Sequence, residues 1–222
     1  MRSGFTRKAL LAVILPMAFA GPALADMTFR IVAVGADTNC GAKCPIIIAA
    51  DGQITRQTPA AFRAFIRANA HSGMRSVVYI HSPGGSVRGS MDLGEAFRRI
   101  GAAVIVARAE GGDESRPART TAGGCFSACV YALMGGLKRV VPKQSLVGVH
   151  KMFALRSGGD PAGGQEGRDY DDGRVAERVA RYAARMGVSR DLIARAERSS
   201  PDAVYMLSQE EIRRWRLGVP AL

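Results

Sequence analysis

The chain has 222 residues, 47% of them hydrophobic and 23% charged, with a formal net charge of +12 and four cysteines. That length suits one domain around one core, and beyond the N-terminus no stretch is long and apolar enough to span a bilayer. Much of the charge excess lies in C-terminal arginines between Arg174 and Arg216. Only Tyr182, Tyr205 and Trp215 fall among them, too few for the stacking surface of a single-strand binder, so they read as a solvated helical surface and no nucleic-acid partner is expected.

Arg2, Arg7 and Lys8 precede an apolar run from Ala9 to Ala20, and Ala23-Leu24-Ala25 gives a small-x-small cleavage pattern. Residues 1–25 therefore read as a signal peptide and 26–222 as the folded domain, periplasmic or secreted. Export implies an oxidising compartment, in which Cys40, Cys44, Cys125 and Cys129 pair rather than stay free. Three connectivities are open. Cys40–Cys44 with Cys125–Cys129 is favoured because short loops close easily; Cys125 must then precede the first turn of the following helix, since a four-residue offset within a helix suits a disulfide poorly. Zinc would need converging C-x-x-C-like pairs, so no metal and no cofactor are expected.

Residues 28–34 are rich in β-branched side chains and read as a strand, and 45–50 as a second. Thr58 is placed as the N-cap of a helix to about residue 70, with Pro59 at its first position. Residues 76–80 and 102–107 are buried strands around a helix over 87–100. This alternation predicts parallel βαβ units. Residues 110–124 read as a loop. A helix starts near Ser127 and stops at Gly135-Gly136, and short strands flank Pro142. Residues 156–173 read as an exposed loop. Helices follow over 174–186 and from a Ser189 cap to 198. Ser208 and Glu211 form a capping box for a last one.

Three stretches carry chemistry. His81-Ser82-Pro83-Gly84-Gly85 is a strand followed by a glycine turn, where positive φ lets successive N–H groups face one point, as an oxyanion requires. Cys125-Phe126-Ser127-Ala128-Cys129 puts a serine at a helix start, either as an exposed nucleophile or as a plain N-cap. Val147-Gly148-Val149-His150 ends a strand in a histidine able to take the serine proton. Of the other histidines, His71 follows a surface helix, and His81 adjoins the glycine turn and can shape the pocket.

Taken in order, these elements resemble the proteolytic subunit of the Clp protease, within the Clp/crotonase superfamily. The similarity rests on Ile80 to Ser86, on the serine of Cys125 to Cys129, on Lys138-Arg139-Val140-Val141-Pro142-Lys143-Gln144-Ser145 leading to His150, and on Met206 to Glu211 followed by Leu217-Gly218-Val219. It implies a single α/β Clp/crotonase-like domain of repeated β-β-α and βαβ units with a mostly parallel sheet. It implies Ser127 as nucleophile, His150 as base, and the N–H groups of Gly85 and Ala128 as oxyanion donors. The family's aspartate falls at Val204. The nearest carboxylate is Asp202, which either orients His150 after a shift of register or caps the chain after Pro201. The implied partner is a peptide or protein substrate, and a homo-oligomer stays open. No ATPase partner is expected, because an exported chain meets no ATP.

The expected activity is that of a serine peptidase or acyl hydrolase. Competing readings are a non-catalytic binding protein on the same fold, a thiol redox pair at Cys125 and Cys129, and a serine–lysine dyad using Lys138 or Lys151.

Overall fold

The computed structural model describes residues 25–35, 44–69, 76–112, 116–155, 168–170 and 172–221. Residues 1–24 of the stretch read as a signal peptide, Cys40, His71 and residues 156–167 lie outside them. Apolar runs build the centre of the main sheet. β2 (Ile46–Asp51), β3 (Val77–His81), β4 (Ala103–Glu110) and β7 (Lys138–Val140) are parallel neighbours. β1 (Thr28–Ala33) adds antiparallel to β2 at one edge, and β5 (Arg119–Ala122) pairs antiparallel with the C-terminal half of β4. A second, three-stranded sheet has the order β11 (Tyr205–Met206), β8 (Leu146–Val149), β6 (Gly124–Phe126). A bridge from Ser82 to Cys125 joins β6 to the end of β3.

Period-two burial along β3 decides how the sheet is covered. Val78 and Ile80 have no exposed surface and face the helices, while Val77 and Tyr79 pack on the opposite face with Val34, Ile47 and Ala109. On the helical side lie α1 (Thr58–Ala68), α2 (Val87–Arg99), α3 (Cys129–Met134) and α4 (Arg174–Arg185). Phe62 meets Phe97 edge-on at 5.0 Å between ring centres. Leu93, Val130, Leu133 and Met134 fill the space beside them. Each fully buried side chain of this size contributes roughly 1.5–3 kcal/mol. Tyr182 of α4 packs in with its hydroxyl donating to the Tyr131 carbonyl at 2.9 Å. α5 (Asp191–Glu197) and α6 (Gln209–Arg214) complete the fold, and the Ser208–Glu211 capping box forms as read from the sequence.

Two arginines close the far end of α3. Arg98 donates to the carbonyls of Gly135 at 3.0 Å and Met186 at 3.1 Å. Arg139 donates to Gly136 at 2.9 Å, Met186 at 3.2 Å, Leu217 at 3.0 Å and Arg216 at 2.9 Å. Their charges sit where the ends of α3 and α4 present unpaired carbonyls, the negative pole of each helix. Burial, and then the charge of Arg98, pull the Arg139 guanidinium below its ordinary range.

Several local expectations shift. The N-cap of α1 is Gln57, and the Thr58 hydroxyl instead accepts the Thr55 N–H at 2.9 Å. The N-cap of α5 is Arg190, one residue after Ser189. Residues 110–124, read as a loop, contain β5 and the start of β6, because backbone pairing along β4 needs no apolar side chain. Within residues 156–173, read as a loop, the described residues 168–170 form a strand. β9 (Phe153–Leu155) pairs antiparallel with β10 (Arg168–Tyr170).

Candidate active site

Ser127 stands between β6 and α3 with φ of 54°. For a residue with a side chain this is the left-handed region, and holding it costs roughly 1–3 kcal/mol. The surroundings impose it. The Ser127 N–H donates to the Gly148 carbonyl at 2.9 Å, and the Ser127 carbonyl accepts from Val130 at 3.1 Å. Cys125 and Cys129 are joined by a disulfide, with Cα atoms 5.3 Å apart. Cys125 lies in the strand and Cys129 is the first residue of the helix, as the short pairing requires. The bridge thus ties together the two elements that Ser127 separates. Both cysteines have no exposed surface, which denies a redox partner access. Cys44 is also disulfide-bonded.

The glycine turn packs directly on the serine. Gly84 has φ of 105°, and a Cβ there would lie 2.6 Å from the Phe126 carbonyl oxygen, 2.9 Å from Ser127 Cβ and 3.1 Å from the Ala128 nitrogen. Only glycine fits. The buried Ser82 holds the turn, its Oγ accepting the Gly84 N–H at 3.1 Å. Ile54 clamps it from the other side, donating to the Gly84 carbonyl at 2.8 Å and accepting from Ser86 at 2.7 Å. After these bonds, the N–H groups of Gly85 and Ala128 have no hydrogen-bond partner among the described residues. Ala128 is 2% exposed, and a buried N–H without a partner is uncommon. The two unpaired donors belong to the two segments that touch at Gly84 and Ser127.

His150 directly follows β8. β6 and β8 run parallel with Phe126 opposite Gly148, and the Ser127 N–H bonds the Gly148 carbonyl, so the serine is anchored two residues before His150 on the neighbouring strand. No hydrogen bond joins Ser127 to His150 among the described residues. The imidazole lies against Phe153, with ring centres 5.5 Å apart. His150 Nδ1 is 2.8 Å from the Lys151 carbonyl oxygen. A carbonyl only accepts, so Nδ1 carries the proton and Nε2 keeps its lone pair in the neutral ring.

His81 is held the other way round. Its Nδ1 accepts the Gly124 N–H at 2.9 Å, so its neutral ring carries the proton on Nε2. Burial, followed by the nearby charge of Arg108, keeps its pKa below the ordinary 6.5. It is a poor base in this setting and braces β6 from the end of β3.

Asp202 is exposed, and its backbone N–H donates to Ser200 Oγ at 3.1 Å. No hydrogen bond or ion pair joins it to His150 among the described residues. β11 pairs antiparallel with β8, Tyr205 opposite Val149, so one further step puts Val204 opposite His150. Lys138 is level with Ala103 and hence with Val77, five residues or about 16 Å down the strands from Ser82, which bridges to Cys125 just before Ser127. Lys151 directly follows the histidine. Sequence reasoning missed three neighbours of this segment. They are Phe153, the Lys151 carbonyl, and Glu197, whose carboxylate accepts the Met152 N–H at 3.2 Å. None has a sequence signal, because each acts through a chain bend or through backbone.

Comparison with known proteins places the fold. No family model matches the chain, and no curated protein matches it either. Among solved structures it is similar to the 1510-N membrane-bound stomatin-specific protease, in a serine-to-alanine mutant, with a TM-score of 0.51 and 14% identity over 74% of this chain and 72% of that one. A lysine-to-alanine mutant of the same protease, in complex with a substrate peptide, gives the same TM-score and identity over 74% of this chain and 68% of that one. The chain thus has the Clp/crotonase-like fold, a single mixed α/β domain with a mostly parallel sheet.

Proposed function

We propose that this is an exported serine peptidase or acyl hydrolase that forms an acyl-enzyme at Ser127, with His150 as base, and acts on peptides without ATP. The observation that carries the reading is the pair of unpaired N–H groups, on Gly85 and Ala128, beside a serine held at positive φ. Unpaired backbone donors next to a strained hydroxyl are what an oxyanion site uses. The peptide complex of the structural neighbour supports a peptide substrate on this fold. The N-terminal segment supports export.

In the reaction, Ser127 Oγ attacks the scissile carbonyl carbon as its proton passes to His150 Nε2. The oxyanion so formed accepts from Gly85 and Ala128. Collapse breaks the C–N bond, and the proton moves from Nε2 to the departing amine. Water, deprotonated by the same nitrogen, attacks the acyl ester and returns Ser127 Oγ–H. The Ser127 Oγ to His150 Nε2 hydrogen bond belongs to the substrate-bound state, since catalytic hydrogen bonds in unliganded sites often tighten only on binding.

The test is labelling by a fluorophosphonate, located by peptide mass spectrometry. Modification of Ser127 that is lost in Ser127→Ala and His150→Gln supports the proposal; absence of labelling in the folded wild type rejects it. Lys151 is the competing base. Lys151→Ala leaves labelling intact if His150 is the base and abolishes it if Lys151 is.

A further inference from the structure

A serine nucleophile needs its histidine in one tautomer, with Nδ1 protonated and Nε2 free to accept. In the common triad a carboxylate enforces this. Here the residue one step beyond the β11–β8 pairing, towards His150, is Val204, whose side chain has no acceptor, and no hydrogen bond or ion pair joins Asp202 to the ring among the described residues. Yet the ring is not left to choose. Its Nδ1 lies 2.8 Å from the Lys151 carbonyl, and Phe153 covers one face at 5.5 Å between centres. The segment beyond is fixed in turn, with the Met152 N–H donating to Glu197 at 3.2 Å and Met152 itself buried.

Resting on the Ser127–His150 reading, we infer that the backbone carbonyl of Lys151 takes the place of the triad acid. It is a positioning group that fixes the His150 tautomer and aims Nε2 at the nucleophile, with no side-chain carboxylate in that role. The carbonyl does what the acid does geometrically. It accepts one hydrogen bond in the ring plane and blocks the alternative tautomer, which would place the proton on Nε2 and cancel the base. It supplies less charge, so the imidazolium formed during attack is stabilised by a neutral acceptor, the weaker kind of hydrogen bond.

The test is the tautomeric state of His150, read by nitrogen-15 NMR of histidine-labelled protein at about pH 9, where imidazoles are neutral. The chain has three histidines, and His71→Gln and His150→Gln variants assign their signals. The expected result is a protonated Nδ1 at His150 and, as an internal contrast, a protonated Nε2 at His81. Asp202→Asn is expected to leave the His150 tautomer unchanged and the fluorophosphonate labelling rate within about twofold of wild type, where loss of an orienting acid costs about ten-thousand-fold. A protonated Nε2 at His150 in the wild type, or a switch to it in Asp202→Asn together with lost labelling, overturns the inference and returns the role to the acid. A protonated Nδ1 in a wild-type protein that never labels supports the orienting contact and rejects the hydrolase reading, so the two failures are separable.

Discussion

The two ends of α3 are treated in opposite ways. At its start, Ser127 is strained, Ala128 has an unpaired N–H, and the flanking cysteines are covalently joined. At its finish, the carbonyls of Met134, Gly135 and Gly136 accept from two guanidiniums brought in by α2 and β7. A short helix of six residues has little stability of its own. The comparison teaches that strain and unpaired donors at one end are tolerated because the other end is over-determined. Substitutions at the two ends should therefore separate activity from stability.

The largest effect is expected from Gly84→Ala. Its Cβ would collide with the Phe126 carbonyl and push the turn off Ser127, so labelling should fall by at least about a hundredfold, the scale of losing one oxyanion donor. Circular dichroism should show the fold retained; normal labelling would break the assignment of the start of α3 as reactive. Next, Arg139→Met removes donors to several carbonyls and should lower unfolding free energy by about 2–4 kcal/mol in denaturant titration. Labelling per folded molecule should stay near wild type. If it collapses, the two ends are not separable. Replacing both Cys125 and Cys129 by alanine opens a short loop and should cost about 2 kcal/mol on the chain-entropy account.

A smaller effect has the opposite sign. Ser127→Gly relieves the left-handed strain and should raise stability by about 1 kcal/mol while abolishing labelling. A stability loss instead would mean the serine is an ordinary structural residue. The smallest effect is one of pH. The folded pKa of His81 lies below 6.5 through burial, then through Arg108, partly opposed by Asp51 and Glu110. The unfolded chain therefore takes up this proton first. The contribution of neutral His81 is complete above pH 6.5 and is lost as pH falls toward and through the folded value. His81→Gln should flatten that acid-side decline in a series of melting curves.

What the sequence made legible follows what side chains dictate. The runs Ile46 to Ala50, Val77 to Ile80 and Ala103 to Ala107 announced the parallel centre, and the Ser208–Glu211 spacing announced its capping box. β5 was hidden because Arg119-Thr120-Thr121-Ala122 is polar and is held by backbone pairing to β4. The Gln57 cap was hidden because Thr58-Pro59 offers a more familiar signature. At the site, residue types and order were readable, but the sign of φ at Ser127 was not, since it goes with backbone bonds to Gly148 and Val130 that no side chain announces. The orientation of His150 was not readable either. Sequence directs attention to carboxylates, and the atom in contact belongs to the main chain.

That contact changes how the site meets mutation. A triad acid can be lost through a single codon change, and most changes at its codon remove the carboxylate. A carbonyl supplied by residue 151 is encoded by no codon in particular. All twenty residues carry it, so only a change that moves the local path of the chain, such as proline at position 152, can take it away. On the proposed mechanism, a scan of single substitutions across the site would find two positions intolerant for chemical reasons, Ser127 and His150. Around them it would find a ring intolerant for shape, Gly84, Gly85 and the Cys125–Cys129 pair, with no third acid to be found.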